Sequence, residues 1–214
     1  MTNRTQSDLI ASLSADLAPV RPLRAATGWA LVVCAAIASG AIAVLTMGLS
    51  PAFVSGHPAS HLVIANGLLL VLGLSAAAAV VAMASPAVGP RHDGPKWALG
   101  MVAILPLAAV LLMIASADFD VLAHPVAGLD CALMGTLFGS LTAAALVMWL
   151  RRGAPVSLTR AGFYVGVAAG ALGSVGYGLS CPWDSFEHIG IWHVMPVAIC
   201  AGLGAAIVPR LVRW

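Results

Sequence analysis

Residues 131–152 read CALMGTLFGSLTAAALVMWLRR. The twenty residues from Cys131 to Leu150 carry no charge, and Arg151 and Arg152 close the run. A helix needs about 20 mostly apolar residues to cross the hydrocarbon core of a bilayer, so this stretch has both the length and the composition of a membrane span. Outward from it, the stretches between ionisable side chains predict five more, near residues 29–49, 61–83, 96–117, 160–179 and 189–208. Composition agrees: of 214 residues, 61% are apolar and 8% charged, whereas a soluble domain carries roughly 25% charged residues. The sequence therefore predicts an all-α integral membrane protein with six transmembrane helices in the lipid bilayer, residues 25–214, preceded by a polar leader, residues 1–24.

The charges assign the loops. Arg4, Arg21 and Arg24 precede the first span, Arg91 and Lys96 separate the second and third, Arg151, Arg152 and Arg160 separate the fourth and fifth, and Arg210 and Arg213 follow the sixth. All ten basic residues fall on one side, with Asp8, Asp16 and Asp93. The other side holds Asp118, Asp120, Asp130, Asp184 and Glu187. Basic loops near span ends stay in the cytoplasm, so both termini are expected there. The net charge of +2 is too small and too dispersed for direct nucleic-acid binding. The first 24 residues lack the basic start, apolar core and cleavage site of a signal peptide.

Inside the spans, Gly162, Gly166 and Gly170 repeat at four-residue spacing, as do Gly135 and Gly139. Small residues let membrane helices approach closely; the ordinary use is packing within the bundle, and a homodimer seam is the competing one. The oligomeric state is left open. Pro106 and Pro196 should kink or loosen spans three and six. No span has Asp, Glu, Lys or Arg at its centre, and Asn66 is the main polar exception, for which a helix-to-helix hydrogen bond is expected. That scarcity argues against an ion pathway.

In the leader, Leu9, Ile10, Leu13, Leu17 and Val20 follow helical spacing, with Asp8, Ser12 and Asp16 off that stripe and Pro19 and Pro22 ending the run. About three turns long, this short amphipathic helix cannot stand alone. Its stripe can lie in the membrane interface, fold back on the cytoplasmic loops, or dock in a groove on a soluble partner.

Cys34 and Cys200 lie within spans, where packed inert thiols are expected. Cys131 and Cys181 lie at the outer boundary, where two thiols can form a disulfide, bind a soft metal or stay free. His57, His61, His124, His188 and His193 share that side. Cys131, Cys181, His188 and His193 have ligand chemistry for a soft or borderline metal ion, although their spacing matches no standard zinc motif; the alternative is that they bond to loop carbonyls. No cofactor is obligatory. A transmembrane haem wire wants histidines near both faces, and a disulfide-generating enzyme wants a Cys-x-x-Cys pair. Neither pattern is present, so no catalytic role is expected.

The leader from Asp8-Leu9-Ile10 through Leu13, Asp16-Leu17 and Pro19-Val20, the six spans, the Gly128-Leu129-Asp130-Cys131 turn, and the segment from Cys181-Pro182 through His188 to Trp192-His193 resemble the NrsF-like family of membrane anti-sigma factors. The resemblance implies a bacterial inner-membrane protein that sequesters an extracytoplasmic-function sigma factor on its cytoplasmic side. It further implies that Cys131 and Cys181 face the periplasm and sense metal or oxidative stress. The expected contacts to the sigma factor are Leu9, Ile10, Leu13 and Leu17, with Arg151 and Arg152 adding charge. Unlike soluble anti-sigma factors, the chain is expected to carry no sizeable cytoplasmic domain. The rival reading, a small-solute or metal-ion transporter, predicts a polar cavity reaching past Asn66 to the Pro106 and Pro196 kinks.

Overall fold

The computed structural model describes residues 6–15, 23–86, 94–117, 119 and 125–212. Leu17 of the predicted stripe lies outside them, with Asp16, Pro19, Val20, Pro22, the basic residues Arg4, Arg21, Arg91 and Arg213, the histidines His92 and His124, and the acids Asp93, Asp118 and Asp120. The described residues form helices α1 (Gln6–Ala15), α2 (Ala25–Met47), α3 (Pro51–Val54), α4 (Ser60–Met83), α5 (Gly94–Ser116), α6 (Pro125–Leu150), α7 (Leu158–Gly178), α8 (Phe186–Trp192) and α9 (Met195–Leu211). No strand occurs among them.

Five stretches are long and apolar enough to cross a membrane: α2, α4, α5, α6 and the combined run of α8 and α9. The anticipated span at 160–179 is α7, whose 21 residues measure about 31 Å at 1.5 Å per residue. Its six glycines keep its hydropathy below that of the other five. The reason is position. Sixteen of its 21 residues are buried, and it packs on α9, α6, α4 and α2, so protein surrounds it where the other long helices leave apolar faces exposed.

Glycine makes that centre possible. A methyl group on Gly162, Gly166 or Gly170 would strike the backbone of Gly204, Cys200 or Pro196 on α9, and one on Gly173 would strike Gly135 and Gly139 on α6. The repeats therefore serve packing inside the chain. On α7 they face two neighbours at once, with helix backbones in direct contact.

Three boundaries differ from the sequence reading. The helix α2 stops at Met47, short of Leu49, because Gly48 takes φ +83 and ψ 169, a turn out of the helix that glycine makes without steric cost. The helix α6 begins at Pro125, six residues before the expected start. Proline suits a first helical position, where its missing N–H costs nothing, so Gly128-Leu129-Asp130 is helical and not a turn. The sixth span is interrupted at His193 and Val194. Pro196 has no N–H to offer the carbonyl of Trp192, and Val197 bonds instead to the carbonyl of Val194 at 3.0 Å.

The helix α1 is exposed along its whole length. Leu9, Ile10 and Leu13 are 48%, 60% and 63% exposed, so this stripe has no cover among the described residues.

Candidate functional site: a cluster of thiols and imidazoles

Cys131 and Cys181 are 50 residues apart in sequence, yet their sulfurs lie 3.8 Å apart. Cys131 sits in the second turn of α6 and faces α7. Cys181 follows the end of α7, where the N–H groups of Ser180 and Cys181 both turn back to the carbonyl of Tyr177. That turn brings the second sulfur over the first. The Nε2 of His188 on α8 is 3.7 Å from the Cys181 sulfur. His193 stands at the break between α8 and α9, its ring centroid 5.8 Å from that of His188.

One ligand atom from each of Cys131, Cys181, His188 and His193 lies within 4.8 Å of all the others. All four side chains are buried: 3% exposure for each thiol, 4% for His188 and 1% for His193. The four cysteines of the chain are free thiols. Both ring nitrogens of His193 lack a hydrogen-bond partner. That is costly, because an unsatisfied polar group away from water forfeits about 1–3 kcal/mol.

The walls explain the placement. Ser185 caps α8 by accepting a hydrogen bond from the N–H of His188 at 3.3 Å, which starts the helix at the turn that aims His188 back at Cys181. Trp192 lies across Gly128 so closely that a Cβ there would collide with the indole. His61 on α4 bonds to the carbonyl of Asp184, and the N–H of Ser50 donates to the carbonyl of Leu179 at 2.9 Å. Together they pin the loop that carries Cys181. Contact with the Cys131 sulfur, followed by burial, holds the Cys181 thiol above its ordinary pKa and so in the protonated form.

Tyr177 belongs to the site and was not anticipated: its hydroxyl is 3.5 Å from the Cys131 sulfur, and its ring stacks on Phe138 at a centroid distance of 6.3 Å. Its place four residues before Cys181, in the last turn of the helix that Cys181 follows, was the available signal. His57 is exposed and is not among the four clustered ligands. Asn66 departs from expectation: its Nδ2 donates to the carbonyl of Leu62 in its own helix at 2.9 Å, while its Oδ1 has no partner and faces Gly178. Cys34 is exposed, and Cys200 is buried where Gly166 meets its backbone. Two grooves of about 430 and 390 Å³ beside α9 are lined almost wholly by apolar side chains.

At the far end of α6 the chain is also clasped. Trp149 Nε1 donates to the carbonyl of Val81 at 3.2 Å, and its ring fills the place where Gly28 of α2 has no side chain. Arg151 and Arg152 follow, exposed. Close by, the N–H of Ala154 donates to the carbonyl of Ala84 at 2.9 Å. From Cys131 to Trp149 the helix runs about 27 Å, so one rigid element joins the thiol cluster to the arginine end.

The family described as NrsF, negative regulator of sigma F, matches residues 13–214. The probable anti-sigma-F factor NrsF of Azospira oryzae is 31% identical over 85 residues, which is 40% of this chain and 40% of that protein. The anti-sigma-F factor NrsF of Caulobacter vibrioides is 29% identical over 150 residues, or 67% of this chain and 68% of the relative. No solved structure matches.

Proposed function

We propose, on the premise that the chain belongs to the NrsF family of negative regulators of sigma F, that it is an inner-membrane anti-sigma factor that holds an extracytoplasmic-function sigma factor at the bilayer. In this reading α7 is the sixth span and both termini are cytoplasmic. The placement of all ten basic residues on one side supports that orientation. The thiol cluster then faces the periplasm, and Arg151 and Arg152 face the cytoplasm.

The observation that carries the binding half is α1. A helix of ten residues that buries nothing and presents Leu9, Ile10 and Leu13 is too short to persist alone in water; a groove on the sigma factor supplies the missing face. Leu17 falls at the next apolar position of that spacing in the sequence, and Arg151 and Arg152 add attraction for an acidic partner surface. Charge substitutions test this. In a pull-down from detergent, Leu9→Asp with Leu13→Asp should lower sigma retention at least tenfold, and unchanged retention would overturn the docking mode.

Release begins at Cys131 and Cys181. A metal or an oxidant that draws the two sulfurs into new bonds alters how α6 meets α7, and α6 carries the change to the arginine end. Moving a partner from 99% bound to 99% free requires the two states to differ about 10⁴-fold in affinity, or about 5.5 kcal/mol. Metal coordination by thiolates is worth about 10 kcal/mol or more, so the signal has energy in hand.

A further inference from the structure

We propose that Cys131, Cys181, His188 and His193 form one four-coordinate site for a borderline-soft divalent cation of the zinc and cadmium class, with the two imidazoles as true ligands. The link from this site to sigma release rests on the reading above; the site itself does not.

Distances carry the argument. A tetrahedral zinc ion with Zn–S bonds of about 2.3 Å holds two sulfurs about 3.8 Å apart, and with Zn–N bonds of about 2.0 Å holds sulfur and nitrogen about 3.5 Å apart. The sulfurs are 3.8 Å apart, and the Cys181 sulfur is 3.7 Å from His188 Nε2. A disulfide would instead need a separation of about 2.05 Å. Both separations match those of two ligands sharing an ion, and all four ligand atoms lie within 4.8 Å of one another.

The second, independent observation is His193. It is 1% exposed, and neither of its ring nitrogens has a partner. A buried imidazole whose ring nitrogens are both unpaired has a lone pair free to coordinate, and no existing hydrogen bond must be broken for it to do so. Two sulfurs and two nitrogens in a tetrahedral set are the donors that zinc and its heavier relative prefer over hard, oxygen-seeking cations. On binding, each thiol loses its proton to solvent and two metal–sulfur bonds form, so the pocket gains two positive charges from the ion and gives up two protons. The four positions are scattered over α6, the loop after α7, α8 and the break before α9, and for that reason no linear motif announced them.

The test uses the full chain, purified and reduced in detergent. Zinc competition against a chromophoric chelator should show one ion per chain, and cobalt in its place should give the visible absorption bands of a tetrahedral sulfur–nitrogen site. Cys131→Ser with Cys181→Ser should abolish binding, and His188→Ala with His193→Ala should weaken it at least tenfold. A further arm needs no variant: treating the wild-type chain with diamide breaks two S–H bonds and forms one S–S bond. The two hydrogens and the electron pair pass to the N=N bond of the diazene, which becomes a hydrazine. The oxidised chain should then bind no zinc. The proposal is overturned if oxidised and reduced chains bind zinc alike, if the doubly Ser-substituted chain binds as well as wild type, or if loss of both histidines leaves the affinity unchanged. Sigma pull-down on the zinc-loaded chain separates the two readings. One bound zinc with sigma still held sinks the link to release and leaves the site standing; thiol-dependent release with no zinc bound sinks the site and leaves the regulator standing.

Discussion

Trp149 donates its indole N–H to the carbonyl oxygen of Val81 over 3.2 Å, and this bond fastens the end of α6 opposite Cys131 to the last turn of α4. Ser85 turns its N–H to the carbonyl of Ala82, so Val81 is one of the terminal carbonyls a helix leaves without an intrahelical partner. Trp149→Phe keeps most of the ring and deletes the donor. Its expected cost is about 1 kcal/mol, read as a lower unfolding midpoint in detergent, together with weaker sigma retention in the absence of any inducer.

Contact between helix backbones sets a second expectation. Gly166→Ala places a methyl group against the Cys200 backbone, and overpacking of this kind costs about 1–3 kcal/mol. Gly202→Ala is the control, because nothing lies within 4 Å of the added carbon. Thermal denaturation should separate the two variants clearly.

Arginine substitutions should act through charge. Arg151→Ser with Arg152→Ser should slow sigma association and flatten its dependence on ionic strength, since exposed charges steer encounter and are screened by salt. Association rates measured between 50 and 300 mM salt check this. A rate and slope equal to wild type would remove these residues from the interface.

Replacing both Cys131 and Cys181 with Ser should leave a regulator that holds its partner whether or not metal or oxidant is added. A reporter driven by the sigma factor should remain at its uninduced level under both treatments. Full induction in that strain would move the sensing function elsewhere.

Orientation is open to direct labelling. A single cysteine introduced at Gly56, in a chain whose native thiols are replaced, should react with a membrane-impermeant maleimide in intact spheroplasts. One introduced at Arg152 should react only after lysis.

Five of the six expected spans coincide with stretches long and apolar enough to cross a membrane, and they were legible because charge is expensive in lipid: the basic residues fall between the apolar runs or at their ends. Packing inside the chain was equally plain at Gly162, Gly166 and Gly170, since four-residue spacing leaves one bare face. What remained hidden depended on proximity across the chain. The 3.8 Å approach of Cys131 to Cys181 joins positions 50 residues apart, and no spacing rule reaches that far. Tyr177 was passed over because an aromatic residue at a span end is ordinary in any membrane protein. Asn66 was assigned an interhelical bond on chemistry alone, but its amide finds the carbonyl of Leu62 one turn earlier in its own helix. The early start of α6 turned on Pro125, which reads as a breaker until it is placed at a helix's first position.

The glycine-lined α7 has a further consequence for how the protein is made. A segment whose own partition into hydrocarbon is weak gains little by leaving the translocon alone, whereas α6 before it and α9 after it favour lipid strongly. In the six-span reading proposed above, insertion of α7 becomes a joint event, completed when its two greasier neighbours arrive to shield it, and the thiol pocket takes shape in that last step of biogenesis, once the C-terminal segment has left the ribosome.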